Sequence, residues 1–127
     1  MKYTFKAYER LKSRKTIQSL FTSGSVIKSY PFKLVYTPIE NQAENPNVEM
    51  GVSVSKRLFK HAVDRNRHKR LIREAYRLQK PTLYESLDKS YAIMIIYISK
   101  KPLCFEDSQK TMKKILDKFI KQIHEKI

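Results

Sequence analysis

The sequence runs to 127 residues, enough for one compact domain that buries roughly two thirds of its unfolded surface. Lys and Arg number 27 against 12 Asp and Glu, a formal net charge of +15, so the folded chain repels itself unless a polyanion shares the load, and nucleic acid is the leading class of partner. The longest apolar run, Tyr91 to Ile98, is far short of the ~20 residues of a membrane span, the N-terminus lacks the apolar stretch of a secretory signal, and the lone Cys104 has no partner for an internal disulfide or a zinc site, which together point to a reducing, cytoplasmic setting.

No repeat or low-complexity tract divides residues 1–127, read here as a single domain. Leu11, Ile17, Leu20 and Phe21 approximate helical spacing, Ser13 is placed to cap and Gly24 to stop, predicting a short first helix over Ser13 to Thr22. "YPFKLVYT" alternates Phe32, Leu34 and Tyr36 against Lys33 and Val35. "EMGVSVS" alternates Met50, Val52 and Val54 with small or polar residues. Both read as half-buried strands, with the acidic, Pro-punctuated Thr37 to Asn47 segment as a surface loop between them.

"YAIMIIYIS" is apolar on both faces and is placed centrally in the sheet. After Pro102, Met112, Ile115, Leu116, Phe119, Ile120, Ile123 and Ile127 recur at steps of three and four, predicting a tail helix capped at Asp107 or Ser108. The order helix, strand, strand, basic helix, strand, helix describes an α+β fold with a small antiparallel or mixed sheet. Helices pack one sheet face, and the other is a candidate open surface.

The helix between the second and third predicted strands carries most of the functional signal. Advancing roughly 100° per residue from Arg65 sets Arg65, Asn66, Lys69, Arg70, Arg73 and Arg77 within an arc of about 140°, with Tyr76 on the same side and Leu71, Ile72, Ala75 and Leu78 opposite. Ordinary solvated faces mix signs, whereas Arg65, Lys69, Arg73 and Arg77 form an i, i+4 ladder of like charge that calls for an external anion. Arg outnumbers Lys here, and guanidinium matches phosphate bidentately and stacks on bases. RNA or DNA is favoured over a generic solubility role.

The run "GVSVSKRLFKHAVDRNRHKRLIREAY" resembles the signature of the bacterial ribonuclease P protein subunit, with its RNR core at Arg65, Asn66 and Arg67. The element order along nearly the whole chain is similar to that family as well. The resemblance implies an accessory protein in a ribonucleoprotein that removes the 5′ leader from precursor tRNA, the catalytic centre and its Mg2+ being held mainly by the RNA. Its partners would be the catalytic RNA and precursor tRNA, without a membrane or an obligate protein partner. By the same resemblance, Lys56, Arg57, Arg65, Asn66, Arg67, Lys69, Arg70 and Arg73 would meet the catalytic RNA. Phe21, Phe32 and Tyr36 would hold the single-stranded leader together with Ile17, where the family commonly has an aromatic. The family parallel turns Tyr36 outward, and it also implies a left-handed crossover through the basic helix, against the right-handed default.

No catalytic or metal-binding residues are assigned to the chain. His68 falls beside the apolar arc and reads as structural, His124 lies in the distant tail helix, and the acids Asp64, Glu74, Glu85 and Asp88 form no paired pattern. A ribosomal or scaffolding RNA-binding protein would share the basic helix but bind rRNA. A DNA regulator would insert that helix in a major groove, yet its crowded cations leave few short polar side chains for reading base edges.

Overall fold

A central strand flanked by neighbours on both sides organises the molecule. The computed structural model describes residues 9–40, 46–87 and 89–125, and its elements run α1 (Arg14–Ser23), β1 (Ser25–Ser29), β2 (Phe32–Pro38), β3 (Val48–Val54), α2 (Ala62–Glu85), β4 (Tyr91–Tyr97) and α3 (Phe105–Glu125). Strand β4 is the apolar run at Tyr91. It pairs antiparallel with β2 and parallel with β3, giving the order β1-β2-β4-β3. The parallel pair, in register from Val48 opposite Tyr91 to Val54 opposite Tyr97, requires a crossover, and α2 supplies it.

Strand β1 was not anticipated. Its five residues, SVIKS, pair antiparallel with β2 across a two-residue turn, Tyr30-Pro31, whose peptide bond is cis. Only Ile27 of this strand is buried, so the period-2 pattern is too short to stand out, and the strand exists because β2 offers it an edge. Gly24, expected as a stop, has an ordinary φ of −71° and is needed for room: a Cβ there would lie 2.4 Å from the Leu20 carbonyl oxygen and 2.8 Å from Val35 Cγ1.

Side-chain alternation divides the sheet into two unequal faces. Ile27, Phe32, Leu34, Tyr36, Met50, Ile93, Ile95 and Tyr97 face α2 and α3, where Ile72, Ala75, Tyr76, Met112, Ile115, Leu116 and Phe119 complete the main core. The opposite face carries Val35, Ala92 and Met94, with α1 laid across β2 and β4 through Leu20. The face expected to be open is therefore covered in part, and what remains open lies between α1 and β3. Each large aliphatic side chain enclosed in this way contributes about 1.5–3 kcal/mol.

The two longest helices differ from expectation in their details. Helix α3 begins at Phe105, ahead of the expected cap: Ser108 is already buried, its hydroxyl donating to the Leu71 carbonyl and tying α3 to α2. Ile127, read as the last apolar position of that helix, lies outside the described residues. In α2, Tyr76 is fully enclosed rather than part of the basic face. The helix buries His68, Ile72, Ala75, Tyr76, Lys80 and Leu83, an arc rotated from the one that Leu71 and Leu78 suggest, and Leu78 is exposed.

Candidate nucleic-acid interface

Rotation of α2 sorts the cations of its sequence into different jobs. Asn66, Arg67, Arg70 and Arg73 are exposed, Lys69 is half-buried, and Lys56 and Arg57 are exposed in the turn between β3 and α2. That turn is built on Ser55, whose carbonyl accepts from the Leu58 and Phe59 amides while its hydroxyl accepts from the Arg57 amide. Arg65 points back into the same turn. One guanidinium nitrogen donates to the Phe59 carbonyl at 3.0 Å and the Lys60 carbonyl at 2.8 Å, so Arg65 braces the loop that displays Lys56 and Arg57.

At the other end of the expected ladder, Arg77 donates to both carboxylate oxygens of Glu74, at 3.0 and 2.5 Å. These hydrogen bonds hold the Glu74 carboxyl below its usual range. Both ends of the ladder are thus engaged within the chain, Arg65 by carbonyls and Arg77 by a carboxylate, which leaves Lys69 and Arg73 of the ladder, with Arg67 and Arg70 beside them, as the cations displayed by this helix. A shallow concavity of about 350 Å³ lined by Asn66, Arg70, Arg73, Glu74 and Arg77 marks this face.

His68 is structural, as its position beside the apolar arc suggests. Its Nδ1 donates to the Asp64 carbonyl at 2.7 Å, its Nε2 accepts from the Leu103 amide at 3.1 Å, and its ring stacks on Phe59 with centroids 4.2 Å apart. The contacts tie the start of α2 to the segment after β4.

The second site is a groove of about 460 Å³ between α1 and the β3 edge, lined by Arg10, Leu11, Lys12, Ile17, Met50, Gly51, Val52, Arg73 and Met94. Its wall is a strap formed by the residues before α1. The Leu11 amide donates to the Met50 carbonyl at 3.1 Å, and Arg10 pairs parallel with Met50. Gly51 permits this approach, since a Cβ there would meet Met94 Cε at 3.2 Å and Leu11 Cδ2 at 3.3 Å. The result is an apolar floor between cationic walls, with Arg73 shared between this groove and the exposed face of α2.

Of the residues the resemblance assigned to a leader, Ile17 lines the groove and Phe21 stands one turn on, 60% exposed on α1. Phe32 and Tyr36 must be withdrawn. Both point to the helix-covered face: Phe32 is fully buried against Tyr97, and Tyr36 packs edge-on to Phe119 at 4.9 Å while its hydroxyl accepts from Gln122 Nε2. Neither ring has a face open for stacking on a base. Sequence reasoning missed the contributions of Arg10, Leu11 and Lys12, which depend on the strap docking beside β3, nearly forty residues away.

The ribonuclease P family model matches residues 5–123. The chain belongs to the ribonuclease P family. It is 38% identical over 111 residues to the ribonuclease P protein component of Porphyromonas gingivalis, covering 85% of this chain and 80% of that one. With the corresponding protein of Clostridioides difficile it shares 34% over 114 residues, 88% and 92% of the two chains. The solved ribonuclease P protein of Staphylococcus aureus superposes with a TM-score of 0.69 at 27% identity, over 88% of this chain and 94% of that one. The Thermotoga maritima protein superposes with a TM-score of 0.67 at 22% identity, over 87% and 96%, and carries the fold alone.

Membership in the ribonuclease P family gives the chain a role in tRNA processing, as a protein component of an endoribonuclease complex whose partner is the ribonuclease P RNA. Among the described residues no helix is long and apolar enough to cross a membrane, and no group of three or more His, Cys, Asp or Glu side chains is placed to hold a metal ion.

Proposed function

We propose that this protein assists removal of the 5′ leader from precursor tRNA by holding two RNAs at once. The exposed face of α2, with Asn66, Arg67, Lys69, Arg70 and Arg73, together with Lys56 and Arg57 in the preceding turn, docks on the catalytic RNA, and Arg65 acts by bracing that turn. The groove beside α1 takes the unpaired leader. Lys12 and Arg10 face its phosphates, Ile17, Leu11 and Met94 pack on its bases, and Phe21 offers a ring for stacking.

One observation carries this reading: an apolar-floored groove with cationic walls runs into the basic face of α2 through Arg73. A single strand presents both charge and flat apolar base surface to such a groove, whereas a duplex keeps its base faces stacked inside. The protein supplies binding and position. In this reading, hydrolysis and the divalent ions that support it belong to the RNA. The work is done in the cytoplasm, as part of the same reading.

The test is reconstitution with ribonuclease P RNA and a 5′-extended tRNA at low magnesium. Protein alone should cut nothing, and the mixture should release the leader faster than the RNA alone. An unchanged rate on adding protein would contradict the proposal.

A further inference from the structure

A buried ion pair stands next to the strap that walls the groove, between residues that line neither candidate surface. Lys80 and Glu9 are 5% and 1% exposed, and the ammonium donates to both carboxylate oxygens at 2.7 Å. The Tyr84 hydroxyl donates to the same carboxylate and stands 3.1 Å from Asn47 Oδ1. Burial raises the Tyr84 phenol well above its ordinary value, so it remains a proton donor. Glu9 directly precedes Arg10 in the strap. Arg10, Leu11 and Lys12 follow directly along β3, and Ser13 then caps α1 by accepting from the Thr16 amide.

A charge pair this deep is a poor source of net stability, because desolvating both ions offsets most of their attraction, and an apolar pair of similar volume often does as well. What such a pair does enforce is geometry, since either ion left alone in the interior is strongly unfavourable. Lys80 sits on α2, the helix whose other side carries the exposed cations, so the pair couples the strap to that helix as a rigid unit.

We infer that Glu9 and Lys80 form a latch that positions Arg10 and Lys12 at the groove wall, making them positioning residues for the leader. This rests on the groove being the leader site. The latch sets leader affinity while leaving the catalytic-RNA surface as it was.

The experiment uses reconstituted holoenzyme, with precursors bearing a long or a one-nucleotide leader as probes. Lys80→Met and Tyr84→Phe are each measured for binding of both precursors and for affinity toward the catalytic RNA alone. Amide exchange of Leu11 reports strap docking. Both variants are expected to speed Leu11 exchange and to shrink the long-leader advantage, by on the order of tenfold for Lys80→Met, the equivalent of one lost base stack, with catalytic-RNA affinity unchanged. If Lys80→Met does not fold, Tyr84→Phe, which removes one hydroxyl, decides the matter. Glu9→Leu combined with Lys80→Met is expected to restore the fold but only part of the long-leader advantage, because an apolar pair leaves the strap free to shift. A wild-type holoenzyme indifferent to leader length would overturn the groove reading itself. A leader-sensitive wild type with an equally sensitive, well-folded variant, or faster Leu11 exchange without loss of leader preference, would overturn the latch.

Discussion

Exposure, more than charge, separates the cations of α2 that can reach a partner from those that hold the protein together. Arg65 and Arg70 occupy the same helix and look interchangeable in sequence, yet Arg65 is spent on two carbonyls and Arg70 is free to reach a phosphate. Arg70→Ala is expected to lower affinity for the catalytic RNA and to reduce its log–log salt slope by roughly one unit, with the unfolding midpoint in urea unchanged. Glu74→Gln should act in the opposite direction, since it removes the carboxylate charge that pairs with Arg77 in the same concavity. A steeper salt dependence in titrations of the catalytic RNA would register the change. Phe21→Ala removes an exposed ring, so stability should hold while affinity for long-leader precursors falls by about 1–3 kcal/mol and that for leaderless tRNA does not. Which face a cation or ring occupies was only partly legible beforehand. The helical wheel placed Tyr76 among the arginines, opposite an apolar arc of Leu71, Ile72, Ala75 and Leu78, and the packing of α2 against the sheet and α3 rotates the buried arc so that it keeps Ile72 and Ala75, takes in Tyr76 and leaves Leu78 exposed.

Among the elements, those with a long repeating pattern could be read directly. The apolar steps of α3, the unbroken branched run of β4 and the alternation of β2 and β3 each reflect burial that one periodicity describes. Strand β1 could not be found in this way: a five-residue edge strand with a single buried side chain has no period to detect. The same limit applies to Phe32 and Tyr36. Their alternation showed that they share a face, but not which face the helices would cover, and the family parallel pointed the wrong way. The link from α1 into β1 has a sharper requirement. Any side chain at position 24 collides with the Leu20 carbonyl and with Val35, so Gly24→Ala should cost about 1–3 kcal/mol by forcing backbone or core to shift. Urea denaturation measures this, and a variant as stable as the parent would show that the helix-to-strand link has slack that the close approach denies.

On the scale of the whole molecule, the charge of +15 is arranged as well as abundant. One group of cations lies on the exposed side of α2, in the turn before it and on the walls of the groove beside α1, with Arg73 joining the two regions, and a second group, Lys110, Lys113, Lys114, Lys118 and Lys121, is exposed on α3. Composition and the α2 pattern were sufficient to expect a polyanion, and the motif beginning at Gly51 was sufficient to expect the family. The groove itself was not legible, because Leu11, Gly51 and Met94 come together only when strap, sheet and α1 have assembled. The central claim is that the two regions face two different RNAs, and a tethered hydroxyl-radical probe tests it most directly. With Cys104→Ser as background, Lys12→Cys and Arg67→Cys would each carry the probe in a holoenzyme bound to a long-leader precursor. Cleavage of the leader from position 12 and of the catalytic RNA from position 67 is the expected result. Cleavage of the catalytic RNA from position 12, with the leader untouched, would contradict the account.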